Sequence, residues 1–412
     1  MVYITGFGII SGIGCGKEET FISLQQKRSI IGEISFLETA LKQYPVAEVK
    51  KDNKDLARHA SLPENKIYSR TFLLGLIAAQ QAMQMSGLKS AQGILGATTI
   101  GGMDMQERYY KRLMDSNNKS LKRQFVSSFE CADATEQIAN YFNIRSNITT
   151  ISTACSSSAN AIMNGARIIR NGLADSILVG GMDALSRFSI NGFNSLEILS
   201  LTGCRPFDQQ RNGISIGEGA AFLVLESEKA ATGKKIYGEI AGYANRSEAF
   251  HQTSSSPDGI GAVMTMRHAL DVAEIQPNDI DYINAHGTGT QINDLSEGNA
   301  IGTVFGENIP PVSSTKAFTG HTLAAAGAIE AVISILALQH NFIPVNLNFT
   351  NKIPELPFIP YIDTRCETLD MRCETLGNLK PHNPIPQIYI RNVLSNSFGF
   401  GGANTTLIIK KV

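Results

Sequence analysis

Ile148-Thr149-Thr150-Ile151-Ser152-Thr153-Ala154-Cys155-Ser156-Ser157-Ser158-Ala159-Asn160-Ala161 is the stretch on which the reading of this chain turns. Its β-branched opening, residues 148–152, has the composition of a short buried strand. Small residues follow, and then Ile162, Met163 and Ile168 fall at helical spacing. A cysteine where a strand turns into a helix meets unpaired backbone N–H groups and the positive end of the helix dipole. Both favour the thiolate, so the Cys155 pKa is expected below the ordinary value of about 8.5. The small neighbours leave room for a substrate to reach the sulfur. In logic this is the strand-to-helix nucleophile elbow, built with cysteine instead of serine. A structural cysteine in a tight helix–strand contact has the same local signature, so the decision rests on the rest of the chain.

Outward from the elbow, strands and helices alternate in two similar runs. Residues 2–10 read as a strand around Gly6-Phe7-Gly8, closed by the turn Ser11-Gly12-Ile13-Gly14. Residues 27–66 are polar and weakly periodic, a region of surface loops. Phe72, Leu73, Leu76, Ala79 and Met83 predict an amphipathic helix over 69–86. A strand over 93–101, a charged exposed helix over 107–122 and a helix over 131–142 lead to the elbow. A strand over 176–180 follows, and the apolar run 219–226 reads as a strand covered on both faces. The second run has strands at 237–244, 280–285, 388–394 and 405–411, with helices at 261–273, 295–305 and 323–339. The expected fold class is α/β, with mixed or parallel sheets packed between helices. Its two similar halves, 1–235 with Cys155 and 236–412 with two conspicuous histidines, share one core. Arg365-Cys366-Glu367-Thr368-Leu369 recurs as Arg372-Cys373-Glu374-Thr375-Leu376, a local duplication with no assigned function.

Composition narrows the function classes. The 412 residues can bury a large core. With 36 basic and 37 acidic residues the net charge is −1, so no global field points to nucleic acid or an anionic membrane. The six cysteines, at 15, 131, 155, 204, 366 and 373, show no metal-ligand spacing, and no catalytic metal is expected. The chain enters its first strand without a basic leader, so free thiols and a cytoplasmic setting are expected. The longest apolar region, 323–338, carries Glu330 and many alanines. It reads as a packed core helix rather than a membrane span.

Four further stretches carry chemistry. Asn284-Ala285-His286-Gly287-Thr288-Gly289-Thr290, followed by Asp294 and Glu297, puts a histidine just past a strand in a loop that can approach a ligand closely. Ser314-Thr315-Lys316 and Gly320-His321-Thr322-Leu323 put a lysine and a histidine at the mouth of the small-residue helix. Glu330 inside that helix is a buried carboxylate needing a partner, and Lys316 is the candidate. Ser395-Asn396-Ser397-Phe398-Gly399-Phe400-Gly401-Gly402 frees the backbone for close approach, with Phe400 able to cover a cavity.

Together with Arg205-Pro206-Phe207-Asp208 and Gly217-Glu218-Gly219-Ala220, these motifs resemble the β-ketoacyl-acyl carrier protein synthases of the thiolase-like superfamily. The resemblance covers essentially the whole chain. The set Cys155, His286 and His321 looks like the elongating synthases. Initiating synthases carry asparagine for the second histidine, and thiolases a second cysteine. The resemblance implies a layered αβαβα fold, usually dimeric, and a decarboxylative Claisen condensation. Cys155 would take an acyl group from an acyl carrier protein, with the backbone N–H groups of Cys155 and Phe400 holding the oxyanion. His286 and His321 would bind the malonyl thioester oxygen, and Lys316 would hold the histidine network against Glu330. Thr288 and Thr290 match positions that contact the phosphopantetheine arm, and Phe400 a gate. Phe193 and Phe398 are substrate-binding candidates, and Asp294 a supporting one. Asn284, Glu330, Ser395 and Asn396 match a set around a structural monovalent cation. Gln106 and Glu130 fall where the family's acyl pocket is apolar, and a short, polar or unsaturated substrate follows if they face it. No permanently bound cofactor is implied. The expected partners are the carrier protein and a second copy, or a related subunit. The alternatives to fatty acid elongation are a specialised polyketide or polyene pathway and a non-catalytic chain-length partner. The intact Cys155 speaks against the last.

Overall fold

The computed structural model describes residues 1–115, 127–362 and 389–412. The duplicated segment at 365–376, with Cys366 and Cys373, lies outside the described residues. So do the end of the expected 107–122 helix and the start of the expected 388–394 strand.

The first half contains β1 (Val2–Ser11), β2 (Ile94–Ala97), β3 (Ile148–Ile151), β4 (Ser176–Asp183) and β5 (Gly219–Ser227). The second contains β6 (Gly238–Ser247), β7 (Tyr282–Asn284), β8 (Val312–Ser313), β9 (Asn392–Gly399) and β10 (Ala403–Lys410). Their order across the hydrogen-bonded path is β3-β2-β4-β5-β1, then β6-β10-β9-β7-β8. Numbered within each half, this is 3-2-4-5-1 followed by its mirror, 1-5-4-2-3. The halves meet at one short antiparallel pairing, Tyr3 with Glu239 and Ile4 with Gly238. Strands that follow a helix crossover pair in parallel, as β2 does with β3 and β4, and β9 and β8 with β7.

Six principal helices complete the duplication: α1 (Arg70–Ser86), α2 (Ala132–Tyr141), α3 (Ser157–Arg170), α4 (Ile260–Ala273), α5 (Gln291–Phe305) and α6 (Ala326–His340). α1 starts where Ser69 accepts the Phe72 N–H and stops at Gly87 in the left-handed region (φ 72°). It covers the outer face of the first half, and α4 covers that of the second. α3 and α6 pack on each other and on strands of both halves. The layers therefore run helix, sheet, helix, sheet, helix. The central core joins Ile162 and Ala166 of α3 to Ile329 and Ile333 of α6 and to Val179, Leu223, Val393 and Leu407. The 323–340 stretch is apolar and long enough to cross a membrane, yet 89% of it is buried in the protein.

Two expectations change. Among the described residues β3 is an edge strand, not a buried one: no strand there pairs with its outer side, and Ile148 is 40% exposed. The expected long helix from residue 323 begins as a 3-10 turn, Leu323–Ala325, before α6 proper.

Candidate active site

Cys155 follows the third strand of the first half and precedes α3. His321 follows the third strand of the second half and precedes α6. The duplication thus places them beside the central helices, each near a left-handed non-glycine residue: Ala154 (φ 51°) just before Cys155, and Leu323 (φ 52°) two residues after His321. Such a residue costs about 1–2 kcal/mol and persists only where its surroundings hold it.

At the elbow, Ser157 Oγ accepts the Thr153 N–H at 2.8 Å and donates to the Ala154 carbonyl at 2.6 Å. Asn160 donates to Thr153 Oγ1 at 2.9 Å and accepts from Thr405 of β10 at 2.9 Å. The loop after β9 comes close because Gly399 has no side chain. A Cβ there would lie 2.9 Å from the Thr153 oxygen and 3.3 Å from the Cys155 nitrogen. The N–H groups of Phe400 and of Cys155 itself point at the sulfur.

His286 lies two residues past β7, at the carboxyl end of a parallel strand, where ligand crevices form in such sheets. Glu297 of α5 accepts the N–H groups of His286 (2.9 Å) and Gly287 (2.7 Å). Lys316 Nζ donates to the His286 carbonyl and to Glu330 Oε1, each at 2.5 Å, with both charged groups buried. His321 is pinned by backbone bonds to Ser215 (2.7 Å) and Gly217 (3.0 Å). Its Nδ1 accepts the Leu323 N–H at 3.2 Å. An accepting Nδ1 carries no proton, so neutral His321 presents Nε2–H as a donor. The two imidazole rings stand 5.4 Å apart at 85°.

Burial drives both histidines well below 6.5, helped by the Lys316 charge, and in His286 also by His321. Both are neutral at physiological pH. Cys155 reverses the expected direction. Burial pushes its thiol up to about 11, against lowering by Lys316 and by the N–H groups of Phe400 and Cys155. A helix terminus is worth about 0.3–1 kcal/mol, under one pKa unit, whereas full burial moves a group by about 3–5 units.

The sulfur and one nitrogen from each histidine lie within 4.8 Å of one another. A metal would need a free lone pair on His321 Nε2, and the Leu323 bond at Nδ1 puts the proton there instead. The buried Lys316 ammonium further opposes a cation. Neither feature suits a metal ion at this cluster.

These three residues line a cavity of about 370 Å³, together with Thr288, Thr290, Phe193, Phe398 and Phe400. Thr288 and Thr290 share a hydroxyl hydrogen bond of 2.9 Å. Phe193 and Phe400 face each other at 6.0 Å, and Phe398 lies 5.8 Å from the His286 ring. Asp294 lies behind this wall, accepting from the Phe207 (2.6 Å) and Gly289 (3.1 Å) N–H groups. Asn284 donates to the Glu330 carbonyl at 3.1 Å, and its Oδ1 is buried without a hydrogen-bond partner among the described residues. Lys316 and Ser397 bond the buried Glu330 carboxylate, and this carboxylate with Asn284 Oδ1 fits a cation. Ser395 shares a strand face with Ser397, which faces Gly327 of α6. Asn396 points the other way, donating to Glu297 at 3.1 Å and accepting from Thr406 at 2.8 Å. The structure therefore separates Asn396 from that group. Gln106 and Glu130 are not among the cavity-lining residues; Gln106 donates to Ser128 at 2.7 Å and Glu130 is exposed.

Two carboxylates matter beyond what the chain revealed: Glu297, quoted with the His286 motif but given no role, and Asp183, not singled out. Glu297 holds the His286 loop, and burial raises it to about 7 even though His286, Gly287 and Asn396 N–H donors hold it down. Asp183 accepts from Thr98 (2.5 Å), Thr99 (2.7 Å) and the Ala324 N–H (2.8 Å). Its only signal was an acid ending an apolar strand.

Residues 1–231 match the family profile described as Beta-ketoacyl synthase, N-terminal domain, and residues 237–350 match that of the C-terminal domain. The 3-oxoacyl-[acyl-carrier-protein] synthase 2 of Staphylococcus aureus (strain COL) is 32% identical over 426 residues, covering 100% of this chain and 98% of that protein. The ishigamide ketosynthase/chain length factor superposes with a TM-score of 0.86 at 29% identity, covering 100% of this chain and 99% of that one. AntDE:AntF, a type II PKS acyl-carrier protein in complex with its ketosynthase bound to the hexaketide, gives 0.83 at 28% identity, with 100% and 99% covered. Matched in both of its halves, the chain belongs to the beta-ketoacyl synthase family.

Proposed function

We propose that this protein is an elongating β-ketoacyl-carrier-protein synthase, an acyltransferase that extends an acyl chain by two carbons. One observation carries the reading: a buried thiol and two neutral imidazoles converge within 4.8 Å at a cavity. In acylation the Cys155 sulfur attacks the carbonyl carbon of an acyl thioester. The bond to the carrier's sulfur breaks, and the thiol proton ends on that leaving sulfur. The N–H groups of Phe400 and Cys155 are placed to hold the tetrahedral oxyanion. A malonyl thioester then loses its carboxylate as carbon dioxide, and the electron pair of the broken C–C bond forms an enolate. Its oxygen accepts hydrogen bonds from His286 and His321. Charge that exists only near the transition state is the charge worth binding. The enolate carbon attacks the acyl-Cys155 carbonyl, the cysteine thiolate leaves, and the β-ketoacyl product stays on the carrier.

The supporting residues follow from their positions. Lys316, paired with Glu330, fixes the His286 carbonyl. Thr288 and Thr290 receive the carrier's phosphopantetheine arm, and Phe193, Phe398 and Phe400 wall the acyl group, with Phe400 as its gate. Asp294 and Glu297 hold the His286 loop. Asn284 and Glu330 oxygens, beside Ser395, would hold a structural monovalent cation, which would balance local charge. The halves 1–235 and 236–412 act as one compact unit because α3 and α6 are shared. An acyl carrier protein brings both substrates, as one accompanies the ketosynthase of AntDE:AntF. The open edge at β3 suits a second copy or a related subunit. A reducing cytosol suits the free thiols.

A specialised polyketide pathway is the second reading, favoured by the likeness to the ishigamide and AntDE:AntF structures. Incubation with acyl-carrier proteins of graded length and polarity, followed by mass spectrometry, tests both. An acyl adduct on Cys155 and carbon dioxide release from malonyl-carrier protein are expected, with the preferred chain naming the pathway. Absence of any adduct on Cys155, or an active Cys155→Ala variant, would sink the assignment.

A further inference from the structure

Asp183 ends β4 in the first half, yet it acts on the histidine turn of the second. It is fully buried, and no step of the condensation uses it. Its Oδ1 accepts from Thr98 Oγ1 (2.5 Å), with the Thr99 and Ile100 N–H groups at 3.2 and 3.4 Å. Its Oδ2 accepts from Thr99 Oγ1 (2.7 Å) and from the Ala324 N–H (2.8 Å), and shares the Thr99 N–H (3.3 Å) with Oδ1. Holding the Ala324 amide fixes the turn in which Leu323 is left-handed (φ 52°). That conformation aims the Leu323 N–H at His321 Nδ1, 3.2 Å away. Leu323 shares one buried apolar cluster with Ile100 and Ile214, against which Phe193 packs, and Ile214 and Phe193 also line the catalytic cavity. One carboxylate therefore ties the loop after β2, the cavity wall and the histidine turn together.

We propose that Asp183 is a positioning residue for decarboxylation: through Ala324 and Leu323 it holds His321 in the tautomer that presents Nε2–H to the enolate oxygen. This rests on the condensation reading above. Acyl transfer to Cys155 needs the Phe400 and Cys155 amides but not His321, so the two half-reactions should respond differently.

The conservative variant Asp183→Asn is informative because a carboxamide has one accepting atom where the carboxylate has two. An amide NH2 must then face either the Ala324 N–H or the Ile100 N–H, donor against donor. The variant is expected to acylate Cys155 near the wild-type rate, measured by adduct mass. Carbon dioxide release from malonyl-carrier protein should fall at least about tenfold, since a wrong histidine tautomer can cost up to ~10⁴ in a serine-protease triad. In 15N-histidine spectra of the wild-type protein, His321 should show an unprotonated Nδ1 and a protonated Nε2 at neutral pH, a pattern that the variant loses. Equal loss in both half-reactions, or no loss in either, overturns the proposal. So does a wild-type spectrum with the proton on Nδ1, which decides the matter even if Asp183→Asn fails to fold. A wild-type protein that neither acylates nor decarboxylates would instead count against the condensation reading itself.

Discussion

At Cys155 two opposing effects act on one sulfur. Burial withdraws water from the thiolate, while Lys316 and two backbone N–H groups favour it, and burial wins. The resting group is a thiol, deprotonated as it attacks. Alkylation of Cys155 by iodoacetamide should therefore keep rising through pH 9, with no plateau near neutrality; a plateau below pH 7 would contradict this burial-dominated account. The histidines supply the opposite test. Their folded pKa values lie below the unfolded 6.5, so the unfolded chain takes up protons first on acidification. Their contribution to stability is complete above pH 6.5 and is lost as pH falls from there. Urea midpoints should drop over that range, and replacing both His286 and His321 by Gln should flatten the drop.

At the scale of elements, close approach decides the geometry. β1 lies against α1 because two of its residues lack a Cβ: one at Gly6 would meet the Ala82 oxygen at 2.2 Å, and one at Gly8 the Ala78 oxygen at 2.1 Å. Both obstacles are helix backbone and cannot rotate away. Gly8→Ala should cost about 1–3 kcal/mol or more, as overpacking does, read from the urea midpoint. An unchanged midpoint would mean that the strand and helix can separate freely. The element pattern was legible in the chain itself: apolar spacing over 69–86 and the run at 219–226 reappear as α1 and β5. β3 was not, because its β-branched composition suits an edge as well as a centre, and only pairing tells them apart.

Across the whole molecule, the Lys316–Glu330 pair bridges the His286 loop and central helix α6. Removing one partner leaves a buried charge unmatched, so Lys316→Met should destabilise by about 3–5 kcal/mol in urea unfolding. Adding Glu330→Leu should recover most of that loss while condensation stays impaired. A double variant no more stable than the single one would show that the pair's charges are already solvated. The pairing itself was inferable, since a carboxylate inside an apolar helix demands a cation. Its consequence for His286 was not, because the link runs through a backbone carbonyl.

Motif spacing and apolar periodicity are local properties, so the alternation of elements, the two similar halves and the candidates Cys155, His286 and His321 were readable along the chain. The burial that raises the Cys155 thiol and lowers both imidazoles arises on folding, from both halves at once. Folding also brought the Leu323 N–H to His321 Nδ1, and it turned the Asn396 side chain to Glu297 instead of Glu330. Each depends on which atoms meet after folding, and spacing along a chain does not encode that.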